Sequence, residues 1–500
     1  MEKNSGKRAE HMKPRLKAIN RQQLVMRPMD VEQLVSEDHE VRAVWEFVGR
    51  LDLSAYYEGI EVREGEAGRP AMDPRLMMSL WIYAYSKGVS SAREVCRLCE
   101  TDAAYQWLTG MEGVNYHTLS DFRVEHKEGL DELFTQVLGL LSAEGLITLE
   151  RVMHDGTKVK ACASADTFRR EERIRAHLER AREQVRQMGD PREAEEVGPR
   201  VAKARQRAVR EKAERLEKAL EEFEKVGVLK SSQGEKKEAR VSMSDPEARV
   251  MKQSDGGFAP SYNVQLTTDA KEKIIVGVGV TQSGSDYGEL VGAEEKVEQS
   301  MGEAPGQIVV DGGFVSRGNI LSMKEKGIDL IGPMGVGVTQ AAGQMKRRGV
   351  DPSFYPEFFQ YDAVGDTYRC PAGKILRPDG QEKRPGRTNY RYRALGTDCG
   401  RCVFKGKCCR QIATGRTIVR GVEDPVVVAH KEKMETEEAK QIYRQRGAVA
   451  EFPNAWIKDK IGLRQFRLRG LIKVGMETLW ACLTYNIKQW IRLRWRTQWA

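Results

Sequence analysis

Asp155 sits inside a run that otherwise reads as a strand. Ile147, Thr148, Leu149, Val152 and Met153 precede it, and His154-Asp155-Gly156-Thr157-Lys158-Val159-Lys160-Ala161 carries it on. A carboxylate there needs a partner, because burial penalises its charge. Asp311 closes the short apolar run Gln307-Ile308-Val309-Val310 and precedes Gly312-Gly313. If the sheet makes these strands neighbours, the two carboxylates converge, and the usual compensation is a hard divalent cation on oxygen ligands. Read alone, Asp311 is also a turn residue ahead of two glycines. His154 reads as a structural neighbour of Asp155 rather than a base. A third acid, Glu451, lies in a helical stretch with Tyr443, Arg446 and Lys458. Glu451 and Lys458 are close to two turns apart on one face. Pro453 must begin or kink a helix, which puts Glu451 at a helix N-terminus where the dipole favours the ionised form. Spacing alone also permits a surface ion-pair set.

The elements that must hold these residues follow from periodicity. Residues 1–23 read as a flexible basic arm. From 24 to 140 the pattern is helical: Asp73 and Pro74 open a run through Leu76, Met77, Leu80, Trp81 and Ala84, and shorter helices follow at Ser91–Cys99, Thr101–Leu108 and Thr118–Lys127. Short helices with tight turns suit a DNA-binding module and equally a bundle that touches only protein. Between 166 and 228, Ile174, Leu178, Ala181, Val185 and Met188 and then Val209, Ala213, Leu216, Leu220 and Phe223 form two heptad stripes, an inserted antiparallel hairpin with a solvated charged face. Strands at Tyr262–Thr268 and Ile274–Val280, a helix at Asp286–Gln299, the strand ending at Asp311, a helix at Asn319–Lys326 and a strand at Ile328–Ile331 make a mixed sheet flanked by helices. The fold class expected is therefore α/β, of the α+β kind.

Cys370, Cys399, Cys402 and Cys408 fall in a Gly- and Arg-rich insertion, 351–413, with C-x-x-C spacing and Cys409 spare. Four thiolates there hold a structural zinc on one reading and are reduced thiols on the other. Lys+Arg 82 against Asp+Glu 73 gives +9, and the last fifty residues hold ten basic residues and three acids. Such a clustered surplus implies a polyanionic partner. In the tail at 491–500, Arg492, Arg494 and Arg496 alternate with Leu493 and Trp495 and are the phosphate-contact candidates, whereas Leu471, Met476, Leu479, Trp480 and Leu483 read as core. The polar start, Met1 to Lys17, has no apolar signal core, and Leu471 to Trp490 is too interrupted by charge to span a membrane. A cytoplasmic protein with no membrane partner is expected. No phosphate-loop motif occurs, so ATP is not implied.

His154-Asp155-Gly156-Thr157, Val310-Asp311-Gly312-Gly313-Phe314 and the Tyr443, Arg446, Glu451, Lys458 series resemble the three acidic motifs of bacterial insertion-sequence transposases of the DDE type. Gly68-Arg69-Pro70 with Asp73-Pro74, and Phe466 to Val474 with Ala481 to Lys488, are similar to that family's N-terminal domain and C-terminal helices. The sequence departs in having four residues between Arg446 and Glu451, where three are usual, and Phe314 in place of a frequent Tyr. The resemblance implies a ribonuclease-H-like core in two parts, 147–335 and 436–490. It also implies two Mg or Mn ions on Asp155, Asp311 and Glu451, and phosphate binding by Tyr443, Arg446 and Lys458. The implied activity is cleavage at the terminal inverted repeats and strand transfer to double-stranded target DNA, by a homodimer in a synaptic complex. Rival readings are a catalytically inactive DNA-binding repressor or architectural protein, and a ribonuclease-H-like nuclease without strand transfer.

Overall fold

Asp73 accepts the Arg75 N–H at 2.7 Å and Pro74 fills the first helical position, so the helix starts where cap and proline dictate. The computed structural model describes residues 21–24, 26, 28–62, 70–187, 198–232, 238–334, 345–409 and 414–499. Most of the basic arm at 1–23 lies outside these, as do Gly68-Arg69, Met188 and the turn at 189–191.

The N-terminal region is helical: α1 (Glu40–Val48), α2 (Pro74–Ser86), α3 (Ala92–Thr101), α4 (Ala103–Thr109), α5 (Tyr116–Glu125) and α6 (Lys127–Ala143). The helix expected at Thr118–Lys127 begins two residues earlier and stops at His126, where α6 starts as a separate helix. Beyond it, β1 (Arg151–Lys160) leads into α7 (Glu171–Gln187) and α8 (Pro199–Ser232). These two helices bury Ile174, Leu178 and Ala181 in one cluster with Ala213, Leu216 and Ala219. Their outer faces carry ion pairs such as Arg182–Glu217 at 2.8 Å. The heptad stripes thus bury each other, and charge is left to solvent.

β2 (Arg249–Lys252), β3 (Phe258–Asp269) and β4 (Ile275–Thr281) follow, then α9 (Leu290–Met301), β5 (Gln307–Val309), α10 (Arg317–Glu325) and β6 (Asp329–Ile331). The sheet order is β2-β3-β1-β5-β6, with β4 pairing β3. β1 is antiparallel to β3 and parallel to β5. The mixed sheet with helices is the α+β arrangement that the strand and helix pattern implies.

The insertion holds a feature that cysteine spacing did not announce. β7 (Gln360–Asp362), β8 (Thr367–Arg369), β9 (Ile375–Arg384), β10 (Arg387–Ala394) and β11 (Thr417–Glu423) form an antiparallel sheet in the order β11-β10-β9-β8-β7. The sheet has its own small core around Leu376, Tyr392 and Ile418, and Arg317 of α10 pairs with Glu423 at its edge (Nε to Oε1, 3.0 Å). The chain then returns through α11 (Pro425–Glu435), α12 (Glu437–Arg444), α13 (Phe452–Asp459) and α14 (Leu471–Trp490).

α14 joins the two halves. Trp480 stacks parallel to Tyr85 of α2 with ring centroids 6.3 Å apart, and both are buried. On its other side Asn486 accepts the Ile275 N–H at 2.9 Å and donates to the Ile275 carbonyl at 2.8 Å. That side chain satisfies β4 backbone groups that no strand covers. Among the described residues no helix is long and apolar enough to cross a membrane.

Candidate active site

The strand register brings the first two acids together. Arg151, Val152 and Met153 pair with Gln307, Ile308 and Val309, where β5 ends; Asp311 follows two residues on, near enough for its charge to act on Asp155. Neighbouring strands lie about 4.8 Å apart. Phe314 packs edge-on against the His154 ring at 4.8 Å, which pins the loop after Asp311 to β1. Asp311 is shaped by its glycines: its Oδ1 accepts the Gly313 N–H at 2.7 Å, and a Cβ at 313 would stand 2.9 Å from that oxygen.

Glu451 enters from the other direction. Gly447–Glu451 form a π-helical turn that runs straight into α13, so Glu451 lies inside a helical run and not at the helix N-terminus that Pro453 implied; the wider π turn accommodates the proline. Val449 and Ala450 of that turn pack in one cluster with Met153, Val309 and Ile331 of the sheet. Arg446 lies between the acids: Nη1 is 3.6 Å from Asp155 Oδ1 and Nη2 is 3.9 Å from Glu451 Oε1. These are charge contacts, too long for hydrogen bonds. The Glu451 side chain is 66% exposed, whereas those of Asp155 and Arg446 are 20% and 16% exposed. Lys458, two turns on, donates to Thr157 Oγ1, and Tyr443 packs half-buried beneath the strands.

Burial and the Asp311 charge push the Asp155 carboxyl up to about 6, with Arg446 opposing them. Burial and the Arg464 charge lower the Lys458 ammonium from its usual range. His154 is fully buried, its ring nitrogens each 2.8 Å from Thr267 Oγ1 and Gln265 Oε1, and burial pushes it down to about 4. It is a neutral structural ring, as its sequence setting suggested.

Two groups that the sequence did not single out complete the setting. Asn454 donates to Asp155 Oδ2 and to the Ala450 carbonyl, both at 3.2 Å, while its Oδ1 is buried without a partner. It stands three residues after Glu451, a spacing that could have marked it as a neighbour on the same face. Asp286 lies behind β1 and takes hydrogen bonds from Asn263 (2.7 Å), Gln265 (3.0 Å) and Lys158 (3.1 Å). Burial favours its protonated form, yet those donors hold the carboxyl below its usual range. A Cβ at Gly156 would meet Asp286 Oδ1 at 2.6 Å, so only glycine fits beside Asp155. Nothing in sequence spacing linked position 286 to β1.

The remaining candidates lie elsewhere. Arg494 donates to the Glu144 carbonyl at 2.7 Å, Arg496 stands 3.8 Å from Glu40, and Arg492 bonds Gln489 at 2.9 Å. Cys370, Cys399, Cys402, Cys408 and Cys409 all line one cavity of about 20 Å³. The Lys374 N–H donates to Cys370 Sγ and the Arg416 N–H to Cys399 Sγ, each at 3.3 Å. Among the described residues, no three His, Cys, Asp or Glu side chains stand close enough, as placed, to share a metal ion. The donor chemistry of the acids suits a hard cation, and the guanidinium of Arg446 now supplies the positive charge between two of them.

The site thus joins Asp155 of β1 and Asp311 after β5 with Arg446 and Lys458 beside them, in a chain whose helical N-terminal region is joined to a mixed sheet. A family model described as a transposase DDE domain matches residues 369–491, and one described as a transposase domain (DUF772) matches residues 29–125. The two matches indicate a DDE transposase of the insertion-sequence type, the family that the three acidic motifs resemble. They suggest a DNA-acting enzyme and DNA transposition. The first match includes Glu451 and the last three strands of the second sheet, β9 to β11; neither reaches Asp155 or Asp311. No curated protein matches the chain.

Proposed function

We propose that the chain cleaves DNA at the ends of its own element and joins the exposed 3'-hydroxyls to target DNA, using Asp155, Asp311 and Glu451 on a ribonuclease-H-like core. The observation that most supports this is that the strand bearing Asp155 pairs in parallel with the strand that leads to Asp311, whose charge acts on Asp155. These three carboxylates would hold Mg or Mn, Glu451 being the exposed member of the set. Ions bound there supply an activated oxygen nucleophile and stabilise the leaving oxygen. The protein's own residues do the positioning. Asn454 holds the Asp155 carboxylate through Oδ2, and the pairing of β1 with β5 brings the turn that carries Asp311 alongside β1. Arg446, Tyr443 and Lys458 would hold phosphates at the transposon end, the arginine as a fork and the lysine as a point charge. Phosphate binding by Arg494 and Arg496 would have to compete with Glu144 and Glu40.

Two ends must meet, so a homodimer in a synaptic complex is the proposed assembly. For the cysteine cavity we propose a structural zinc on Cys370, Cys399, Cys402 and Cys408, which requires the thiols to draw together on loading. Metal analysis after purification without chelator should give about one zinc per chain, lost in Cys402→Ser. The function is tested by incubating the protein with Mn and a labelled end fragment. Joined products support transposition. Cleavage alone favours a nuclease, and binding alone favours the inactive repressor or architectural protein.

A further inference from the structure

The segment that leaves α13 returns along the edge of β1 beyond Asp155. Lys160 N–H donates to the Arg464 carbonyl at 3.2 Å, and Phe466 N–H to the Lys160 carbonyl at 2.8 Å. Phe466 is buried edge-on against Tyr262, with ring centroids 5.9 Å apart, which anchors the segment to the sheet. At its other side the segment meets the N-terminal helices: a Cβ at Gly88 would stand 3.2 Å from the Lys460 carbonyl, and Arg467 Nε donates to Ser90 Oγ at 2.7 Å. Residues 458–469 therefore bridge the acid-bearing strand and the helical region.

This bridge carries Lys458, Lys460, Arg464, Arg467 and Arg469 against Asp459, a net charge of +4. Lys460, Arg464, Arg467 and Arg469 are exposed. Arg467 and Arg469 are held by neutral acceptors, the Ser90 hydroxyl and the Cys162 carbonyl at 3.2 Å, which leaves guanidinium donors for another anion. The backbone is fixed from beneath: buried Glu477 accepts the N–H groups of Arg467 (3.1 Å) and Leu468 (3.0 Å), and its charge offsets part of the Arg467 charge. The Arg464–Asp459 pair is mostly exposed, and such pairs hold their partners weakly. Tail arginines, by contrast, lie beside carboxylates.

From this geometry we propose that the exposed basic edge of residues 460–469 is a DNA-backbone track, carrying duplex DNA between the N-terminal helices and the acids. The proposal rests on the DNA-transposase reading. Lys160 lies five residues beyond Asp155, about 16 Å at roughly 3.3 Å per residue. That is the axial length of about five base steps at roughly 3.4 Å each. The track would thus grip phosphates about five steps from the cleaved bond.

The test is the salt dependence of binding to a labelled duplex of mixed sequence, read by fluorescence anisotropy. Each phosphate contact adds about 0.9 to the slope of log affinity against log salt. A triple variant (Arg464→Gln, Arg467→Gln, Arg469→Gln) should lose about 2.7 from the slope. Because Arg467 and Arg469 also touch neighbouring elements, Lys460→Gln with Arg464→Gln provides a second variant free of those contacts, expected to lose about 1.8. Unchanged slopes in both variants, beside a steep wild-type slope, would overturn the track while leaving the catalytic reading standing. Slopes that fall as expected in a protein that cleaves nothing with Mg or Mn would support the track and sink the catalytic reading instead.

Discussion

Asp155→Asn should stabilise the metal-free protein at neutral pH. In the folded chain the carboxyl is held up at about 6, against an ordinary value of 3.8, by burial and by Asp311. At about 1.4 kcal/mol per pKa unit, the ionised side chain destabilises the fold by about 3 kcal/mol above pH 6. The folded state keeps its proton up to about pH 6 and the unfolded chain only to about pH 4, so between these values unfolding releases a proton. The stability contributed by protonated Asp155 is therefore present below about pH 4 and lost as pH rises through about 6. Asparagine removes the charge and keeps an acceptor for Asn454, so the 3 kcal/mol is an upper figure, reduced by whatever relaxation the one-fifth exposed side chain already achieves. The assay is thermal and urea denaturation of wild type and variant with chelator present, from about pH 4 to about pH 8. The variant should unfold later at neutral pH, with the gap closing toward about pH 4. Mg should narrow the gap by stabilising the wild type alone. A variant no more stable than wild type at neutral pH, or a gap that does not change with pH, would refute the repulsion argument.

Further outcomes follow from the same contacts. Asp311→Ala and Asp155→Ala should each abolish cleavage while leaving affinity for end DNA within a few fold, measured by gel assays of cutting and binding on one preparation. Asn454→Ala removes the amide that orients Asp155 Oδ2 and should slow cleavage roughly tenfold, about 1.4 kcal/mol in the barrier, with DNA affinity unchanged. Asn486→Ala leaves the Ile275 N–H and carbonyl unpaired in a buried setting and should lower stability by about 2–4 kcal/mol, read by denaturation; a loss under about 0.5 kcal/mol would show that water replaces the side chain.

The sequence carried a good part of this. Asp73-Pro74 marked a helix start, and the heptad stripes marked the α7–α8 pair, because capping and amphipathic burial are local effects. Pro453 implied a helix beginning at Glu451, but the helical run starts before it, because the π turn at Gly447–Glu451 absorbs the proline without ending the helix. The second sheet escaped notice: β9 is exposed over most of its length and shows no alternation of apolar and polar residues, so period two could not reveal it. Sequence makes the tail arginines phosphate-contact candidates, and it could not show that Arg494 and Arg496 stand beside Glu144 and Glu40, which lie more than three hundred residues earlier in the chain.

By itself the sequence offered the three candidate acids and their order, and the strands that carry or lead to Asp155 and Asp311, because residue type and periodicity act over a few turns or strand residues. Tertiary structure decided that the strand bearing Asp155 pairs with the one leading to Asp311, that Arg446 stands between Asp155 and Glu451, and that Asn454 reaches Asp155. It also decided that Asp286 braces β1 from behind, and that residues 458–469 run from the acids to the N-terminal helices. Those relations depend on strand order and register, and on how α14 packs the two halves together, which are set by burial summed over the whole chain rather than by neighbours in sequence.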